Sequence, residues 1–267
     1  MSPIDTLTGV EQQIISVLDR RVAVSPLSSL IQALDPPRVN IPIAQTALVF
    51  DTNVLLRMSR HPKREDIVDY ISVKHKPPFI LPGQAIQEFW NNLFVLETVA
   101  SGIRKHFEPL KTEIAKLSSS FGSFSEDFGD VLDRFTADFG AVIDPGPLRA
   151  VVDLLKSLES KAIIPFAQRL KFAELAANRK ATKTPPGFKD DGHGDFYIWI
   201  DLLKGLLEAR ASGGVFDQIA FVTLDKKPDW QRNGSPHPLL TSEVSALLSV
   251  PFVIWTLDQL VGNIEAS

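Results

Sequence analysis

The chain has 267 residues and is 44% hydrophobic, which predicts a folded protein with a sizeable core. It contains no cysteine, and this excludes disulfides, thiolate metal sites and cysteine nucleophiles. The formal net charge of −4 argues against a protein that coats nucleic acid by bulk charge, but it allows an acidic metal site with a local basic rim.

Residues 1–44 are predicted to form a helical extension. Apolar residues recur at helical spacing from Val10 to Val17 and again from Leu27 to Leu34, before Pro36 and Pro37 end the pattern. The segment lacks the features of a signal peptide, and no apolar run in the chain approaches the roughly 20 residues of a membrane-spanning helix. We therefore expect a cytoplasmic protein.

Four short apolar runs after residue 44 indicate buried strands, at Thr46 to Phe50, Pro78 to Leu81, Ile219 to Leu224 and Val250 to Thr256. Helical patterns lie between them, at Arg64 to Val73, Gly83 to Ser118, Asp127 to Phe139, Pro147 to Leu158, Phe166 to Ala177 and Asp195 to Ala211, the last of which is predicted to be amphipathic. The stretch of about 93–180 is predicted to be a helical insertion or cap.

This alternation predicts an α/β fold with three layers, α/β/α, around a mostly parallel central sheet. Right-handed crossovers place the carboxyl ends of all the strands at one edge of such a sheet. Sites in open α/β sheets form at that edge.

Acidic residues occur where four segments should reach this edge. Asp51 and Asp225 directly follow the first and third strands, and Asp229 follows four residues later. Glu88 lies near the start of a helix after the second strand, and Asp195 opens a helix after a Pro/Gly-rich loop. Each of these residues, taken alone, is also explained by a turn, a helix cap or the helix dipole.

The combination of these residues is harder to explain structurally. Several ionised carboxylates held close together repel one another and are tolerated only around cations. Oxygen ligands without cysteine suit Mg²⁺ or Mn²⁺ rather than zinc. His193 is left out of the metal set, because a lone histidine in a polar loop is more often a surface residue than a ligand.

The motifs in these segments resemble those of the PIN-like nuclease superfamily. The resemblance covers about residues 45–258 and rests on four elements in the family's order: D-x-N-V-L-L at Asp51 to Leu56, P-x-x-x-x-x-E at Pro82 to Glu88, P-P-G-[YF]-K-D at Pro185 to Asp190 with G-D-x-x-I-W at Gly194 to Trp199, and V-T-x-D-x-K-x-D-W at Val222 to Trp230. It implies a PIN-like domain over 45–264. The K-D and G-D pairs lie closer together here than in the family, so the resemblance assigns no role to Asp190 or Asp191.

The resemblance implies a divalent-metal-dependent nuclease. The catalytic and metal-binding residues it implies are Asp51, Glu88, Asp195 and Asp225, with Asp229 as a fifth metal ligand. Asn53 and Thr223 would orient the ligands or a bound water, while Lys189, Lys226 and Lys227 would contact flanking phosphates or simply form a solvated face. Trp199 and Trp230 are expected to be core anchors.

The implied substrate is nucleic acid, with RNA preferred over DNA because relatives act on RNA more often. A single strand is preferred over a duplex on the hypothesis that the helical insertion narrows the cleft. The reaction implied is hydrolysis that leaves a 5′-phosphate and a 3′-hydroxyl. A toxin or defence role, held in check by a partner protein, is an analogy at the level of the fold.

Two alternatives remain open at this point. One is a non-catalytic PIN-like module that binds RNA or a protein. The other is a phosphatase of the haloacid-dehalogenase type, which needs a general acid two residues after the first aspartate; Asn53 stands there, and an amide cannot donate that proton.

Overall fold

The computed structural model describes residues 9–35, 41–59, 61–114, 116, 123, 124, 126–131, 133, 134 and 147–267. The helices are α1 (Gly9–Leu18), α2 (Pro26–Leu34), α3 (Thr52–Met58), α4 (Arg64–Asp69), α5 (Gly83–Ile114), α6 (Pro147–Glu159), α7 (Arg169–Ala181), α8 (Gly194–Ala211), α9 (Pro238–Leu248) and α10 (Leu257–Glu265). The strands are β1 (Thr46–Phe50), β2 (Phe79–Ile80), β3 (Gln218–Val222), β4 (Gln231–Arg232), β5 (Ser235–Pro236) and β6 (Phe252–Trp255). Among the described helices, none is long and apolar enough to cross a membrane.

The central sheet has four parallel strands in the order β2-β1-β3-β6, which confirms the predicted α/β class with a parallel sheet. The chain leaves β1 for β2 on one side and then crosses to β3 on the other side, so the strand order reverses between β1 and β3. Phe50 is in register with Val222 at the carboxyl ends of these two strands. The crevice where ligands bind in such sheets therefore opens beside Asp51 and Thr223.

Alternating residues of the strands belong to two separate hydrophobic clusters. Val49 and Phe221 are buried in the first cluster, which contains residues of α1, α7, α8 and α9. Phe50 and Val222 are buried in the second, which contains residues of α3, α4, α6 and α10. Side chains of a strand point alternately to opposite faces, so apolar helix residues cover both faces of the sheet. This explains why the strands are continuous apolar runs.

Helix α8 differs from its prediction. We expected an amphipathic helix, but Ile198, Trp199, Ile200, Leu202 and Leu203 are all fully buried, and 11 of its 18 residues are buried in total. The helix packs against α1, α5, α9 and β2, so neighbours cover it on several sides. A helix that is apolar nearly all round is typical of the interior of a large domain.

The segments outside the predicted nuclease core also contribute to its packing. Ile14 of α1 is fully buried in the same cluster as the sheet residues, and α1 contacts α8. Phe172 of α7 belongs to that cluster, and Leu158 of α6 belongs to the second one. Ile163 pairs with Ile80, which extends the sheet beyond β2 by a single bridge.

Several bounds differ from the predictions, and some elements were missed. The predicted helix from Phe166 to Ala177 begins only at Arg169, because the preceding residues are extended and pair near β2. The helices α3, α9 and α10 and the β4–β5 hairpin were not predicted. The predicted helix over 127–139 lies partly outside the described residues.

Candidate active site

Asp51 is held at the carboxyl end of β1 by two hydrogen bonds. One carboxylate oxygen accepts the Thr52 backbone N–H at 2.7 Å, which caps α3, and the other accepts the Thr223 hydroxyl at 2.6 Å. The residue is only 8% exposed. Burial raises the pKa of its carboxyl to about 6, although both hydrogen bonds work in the opposite direction. Asp51 is thus both a helix cap and an acid of perturbed pKa.

Thr223 and Asn53 connect Asp51 to the end of β3. The Thr223 hydroxyl accepts the Asp225 backbone N–H at 2.9 Å while it donates to Asp51. The Asn53 side chain accepts the Leu224 N–H at 3.0 Å and donates to the Thr223 hydroxyl at 3.4 Å. Both side chains therefore join the two strand ends, as expected for groups that orient the carboxylates.

Glu88 enters the site from the second turn of α5, against the first residue of α8. A Cβ added to Gly194 would lie 2.3 Å from a carboxylate oxygen of Glu88, so only glycine leaves room for the carboxylate in this position. Glu88 accepts a hydrogen bond from Gln84 at 3.0 Å. Its charge contributes to the raised pKa of Asp51. These contacts place Glu88 between Asp51 and the start of α8.

Asp195 lies in the first turn of α8, and one of its oxygens accepts the Trp230 indole N–H at 2.9 Å. Its side chain is 13% exposed. Burial, together with a hydrogen bond shared with Asp190, raises the pKa of Asp195 to about 8. The shared hydrogen bond lowers the pKa of Asp190 and raises that of Asp195, so it favours the ionised form of the first and the protonated form of the second.

Lys227 lies in the centre of the carboxylates. Its ammonium nitrogen is 2.8 Å from Asp190, 3.0 Å from Asp225 and 3.3 Å from Asp195. Burial lowers the pKa of Lys227, but the three carboxylates outweigh that effect and raise the pKa above its ordinary value. Lys227, which was predicted to contact a phosphate of the substrate, is thus the internal counter-ion of the carboxylate cluster.

Asp229, the predicted fifth metal ligand, anchors the loop before α8. It is fully buried, and one carboxylate oxygen accepts the backbone N–H groups of Gly187 at 3.0 Å and Lys189 at 3.4 Å. Its other oxygen has no partner among the described residues. Gly187 has a φ of +85° and approaches Asp195 closely, so this loop depends on glycine there.

A buried ion pair that sequence reasoning missed supports the same loop. Glu243 is fully buried and accepts hydrogen bonds from Arg179 at 2.8 Å and from the Trp199 indole at 2.9 Å. Arg20 of the segment after α1 is 2.9 Å from the same carboxylate. Arg179 also donates to the Pro185 carbonyl. Trp199 and Trp230 are buried, which confirms them as core anchors.

The structure therefore brings Asp51, Glu88, Asp195 and Asp225 together at the carboxyl edge of the sheet. Asp190, to which the sequence assigned no role, joins them through Lys227. Lys189 and Lys226 have exposed side chains beside the cluster.

The donor set of this cluster is made of oxygen atoms, which suits Mg²⁺ or Mn²⁺. In the described part of the chain, no group of three or more His, Cys, Asp or Glu side chains forms a ready metal site. Three of the carboxylates, those of Asp190, Asp195 and Asp225, surround the Lys227 ammonium instead. The residue types are those that bind Mg²⁺ or Mn²⁺, and Lys227 occupies the space among three of them.

Comparison with protein-family models, with curated proteins and with solved structures gave no significant match.

Proposed function

We propose that the protein is a metal-dependent nuclease that hydrolyses phosphodiester bonds, with single-stranded RNA as the preferred substrate. The observation that carries this proposal is the convergence of Asp190, Asp195 and Asp225 on the Lys227 ammonium, beside the strand end where Thr223 holds Asp51, at the switch point of the sheet. The order of the motifs, which resembles that of PIN-like nucleases with a three-layer fold, supports it.

The raised pKa values of Asp51 and Asp195 support a site that gains a cation. Carboxyls with these pKa values are stabilised in their ionised form by added positive charge, and a divalent ion supplies more of it than one ammonium. A bound Mg²⁺ or Mn²⁺ would lower the pKa of a coordinated water and neutralise charge on the phosphodiester. Asp51, Glu88, Asp195 and Asp225 would hold the ion.

The remaining residues of the site would position these ligands. Thr223 and Asn53 keep Asp51 and the end of β3 in a fixed relation, as groups behind metal ligands usually do. Once displaced by the ion, the Lys227 ammonium would be free to contact a phosphate oxygen of the substrate. Asp229 would act indirectly, by holding the loop that carries Asp190.

The test is the cleavage of labelled RNA and DNA oligonucleotides in Mn²⁺ by the wild type, Asp225→Asn and Asp217→Asn. Asp217 is an exposed aspartate just before β3, at the opposite end of the strand from Asp225, and is therefore a matched control. We expect Asp225→Asn to abolish cleavage and Asp217→Asn to retain it. Wild-type protein that cleaves neither RNA nor DNA would overturn the proposal.

A second candidate is a non-catalytic module that binds RNA or a protein. The three contacts of Lys227 favour it, because they partly neutralise the cluster without any metal. Mn²⁺ titration separates the candidates: a module whose cluster is closed by Lys227 would bind no ion at this site. The phosphatase alternative is weakened, because both polar atoms of the Asn53 amide are already hydrogen-bonded. Its oxygen accepts the Leu224 N–H, and its nitrogen donates to the Thr223 hydroxyl.

A further inference from the structure

A groove lined by both polar and apolar side chains lies beside the carboxylate cluster, between the β4–β5 hairpin and the carboxyl end of β6. Its volume of about 720 Å³ lies within the range of roughly 300–1,000 Å³ for ligand pockets. Lys226 and Arg232 line it together with the neutral side chains of Gln231, Asn233 and Gln259. The lining contains no acidic residue, so the groove is locally positive in a chain whose net charge is −4.

The basic side chains of the groove are available to a ligand. Lys226 and Arg232 are both exposed. Asp258, in the first turn of α10, does not line the groove and lies beside His61, at 4.0 Å. The positive charge of the groove therefore remains open to an anion.

The β4–β5 hairpin presents Arg232 on a defined backbone. Arg232 pairs with Ser235, and the two residues between them, Asn233 and Gly234, have φ values of 52° and 84°. Two central residues with positive φ are the mark of a type I′ turn, whose twist matches that of the flanking strands. The turn thus holds Arg232 and Asn233 at the rim of the groove.

The groove is continuous with the carboxylate cluster. The Gln231 side chain, which lines the groove, donates to the Asp225 carbonyl at 2.6 Å. Trp230, the preceding residue, donates to Asp195. Lys226 directly follows Asp225 in the chain. A strand of nucleic acid bound at the cluster would therefore meet this groove on the β6 side.

We propose that this groove binds the sugar–phosphate backbone of single-stranded nucleic acid next to the scissile bond, an inference that rests on the proposed nuclease function for its substrate. A cluster of carboxylates repels phosphates within a Debye length of about 8 Å, so affinity for the substrate has to come from positive groups outside the cluster. Lys226, which directly follows Asp225, and Arg232 of the adjoining hairpin supply that charge in the groove.

The neutral side chains of the groove favour a single strand over a duplex. The exposed Asn233 amide can pair with base edges, and such edges are free on unpaired bases; the Gln259 oxygen accepts the Thr256 N–H, so Gln259 offers only its NH2 group. Ile254 and Pro228 give the groove an apolar surface against which sugars can pack. Its lining has no aromatic side chain, so the binding expected here is by phosphate contacts and hydrogen bonds rather than by stacking.

The test measures binding separately from cleavage. Fluorescence anisotropy in EDTA gives the affinity of the wild type, Lys226→Ala, Arg232→Ala and Lys76→Ala for a labelled single-stranded oligonucleotide and for the matching duplex, over a series of salt concentrations. Lys76 is an exposed lysine before β2, at the amino edge of the sheet, and makes a matched control for Lys226. Cleavage in Mn²⁺ by the same four proteins is recorded in parallel.

We expect the single strand to bind more tightly than the duplex. Lys226→Ala and Arg232→Ala should each lower the salt slope of log K by about 0.7, the value for one phosphate contact on a single strand, and Lys76→Ala should leave it unchanged. Equal effects of all three variants, or no preference for the single strand, would overturn the proposal that the groove binds nucleic acid. Neither result would contradict the nuclease proposal. Groove-dependent binding without cleavage in Mn²⁺ would support the groove and overturn the nuclease.

Discussion

The glycine at the start of α8 gives a sharp test of whether Glu88 acts at the site. In Gly194→Ala the new Cβ would lie 2.3 Å from a Glu88 oxygen, whereas ordinary contacts of this kind begin at 3.4 Å. The Glu88 side chain has three rotatable bonds, so it moves rather than the backbone, and its carboxylate must retreat by about 1 Å. Misplacing a reacting group by about 1 Å costs on the order of 100-fold in rate.

The same substitution should not weaken the fold. Gly194 does not have a positive φ, and alanine is a better helix former than glycine, so the melting temperature should stay the same or rise. Gly192→Ala is the matched control, because nothing lies within 4 Å of its added Cβ. We expect Gly194→Ala to lose about 100-fold in Mn²⁺-dependent cleavage, close to the loss in Glu88→Gln, while Gly192→Ala stays active. A folded Gly194→Ala variant that cleaves at the wild-type rate would refute the reasoning.

Three further predictions follow from the buried charges. Lys227→Met removes the internal cation, so calorimetry should show Mn²⁺ binding roughly tenfold more tightly, which corresponds to about 1.4 kcal/mol. Unchanged or weaker binding would show that the lysine does not compete with the metal. The raised pKa values of Asp51 and Asp195, about 6 and about 8, favour the unfolded chain as pH rises, whereas the lowered pKa values of His61, His75 and His237 favour the folded chain as pH rises to about 6.5. The metal-free protein should therefore lose free energy of unfolding between about pH 6.5 and 8, and Asp195→Asn should remove that loss in urea melts. Arg179→Met leaves Glu243 with the half-exposed Arg20 and the neutral Trp199 indole, and should lower the free energy of unfolding by about 3 kcal/mol. A loss below about 1 kcal/mol would contradict the pairing.

The strands and the edge on which the acidic residues meet could be predicted from the sequence. Buried parallel strands are continuous apolar runs, and the runs ending at Phe50 and Val222 stand out from their neighbours for that reason. A parallel sheet then places Asp51 and Asp225 at the same edge by topology alone. The meeting of these two residues followed from periodicity and connectivity, without any knowledge of side-chain geometry.

Some of the missed elements had local signals in the sequence. Helix α10 begins with a capping box in which Thr256 and Gln259 bond each other's backbone N–H groups, and this spacing is readable in advance. Helix α3 was missed because the sequence analysis treated a helix cap and a metal ligand as alternative roles for Asp51. In the structure Asp51 caps α3 and faces the cluster at once, so the structural role does not exclude the functional one.

The centre of the site could not be predicted, because the roles of its charges are set by partners far away in the chain. Lys227 lies in a charge run that looks like a solvated surface, yet it bridges carboxylates from the end of β3 and from the loop and first turn of α8. Asp201 likewise looks like an ordinary surface residue of a helix, but it is fully buried and takes both guanidinium nitrogens of Arg169 together with two backbone N–H groups. Burying a charge is tolerated only where the fold delivers such partners. The local pattern that shows a carboxylate therefore cannot show whether a metal, a lysine or an arginine will neutralise it.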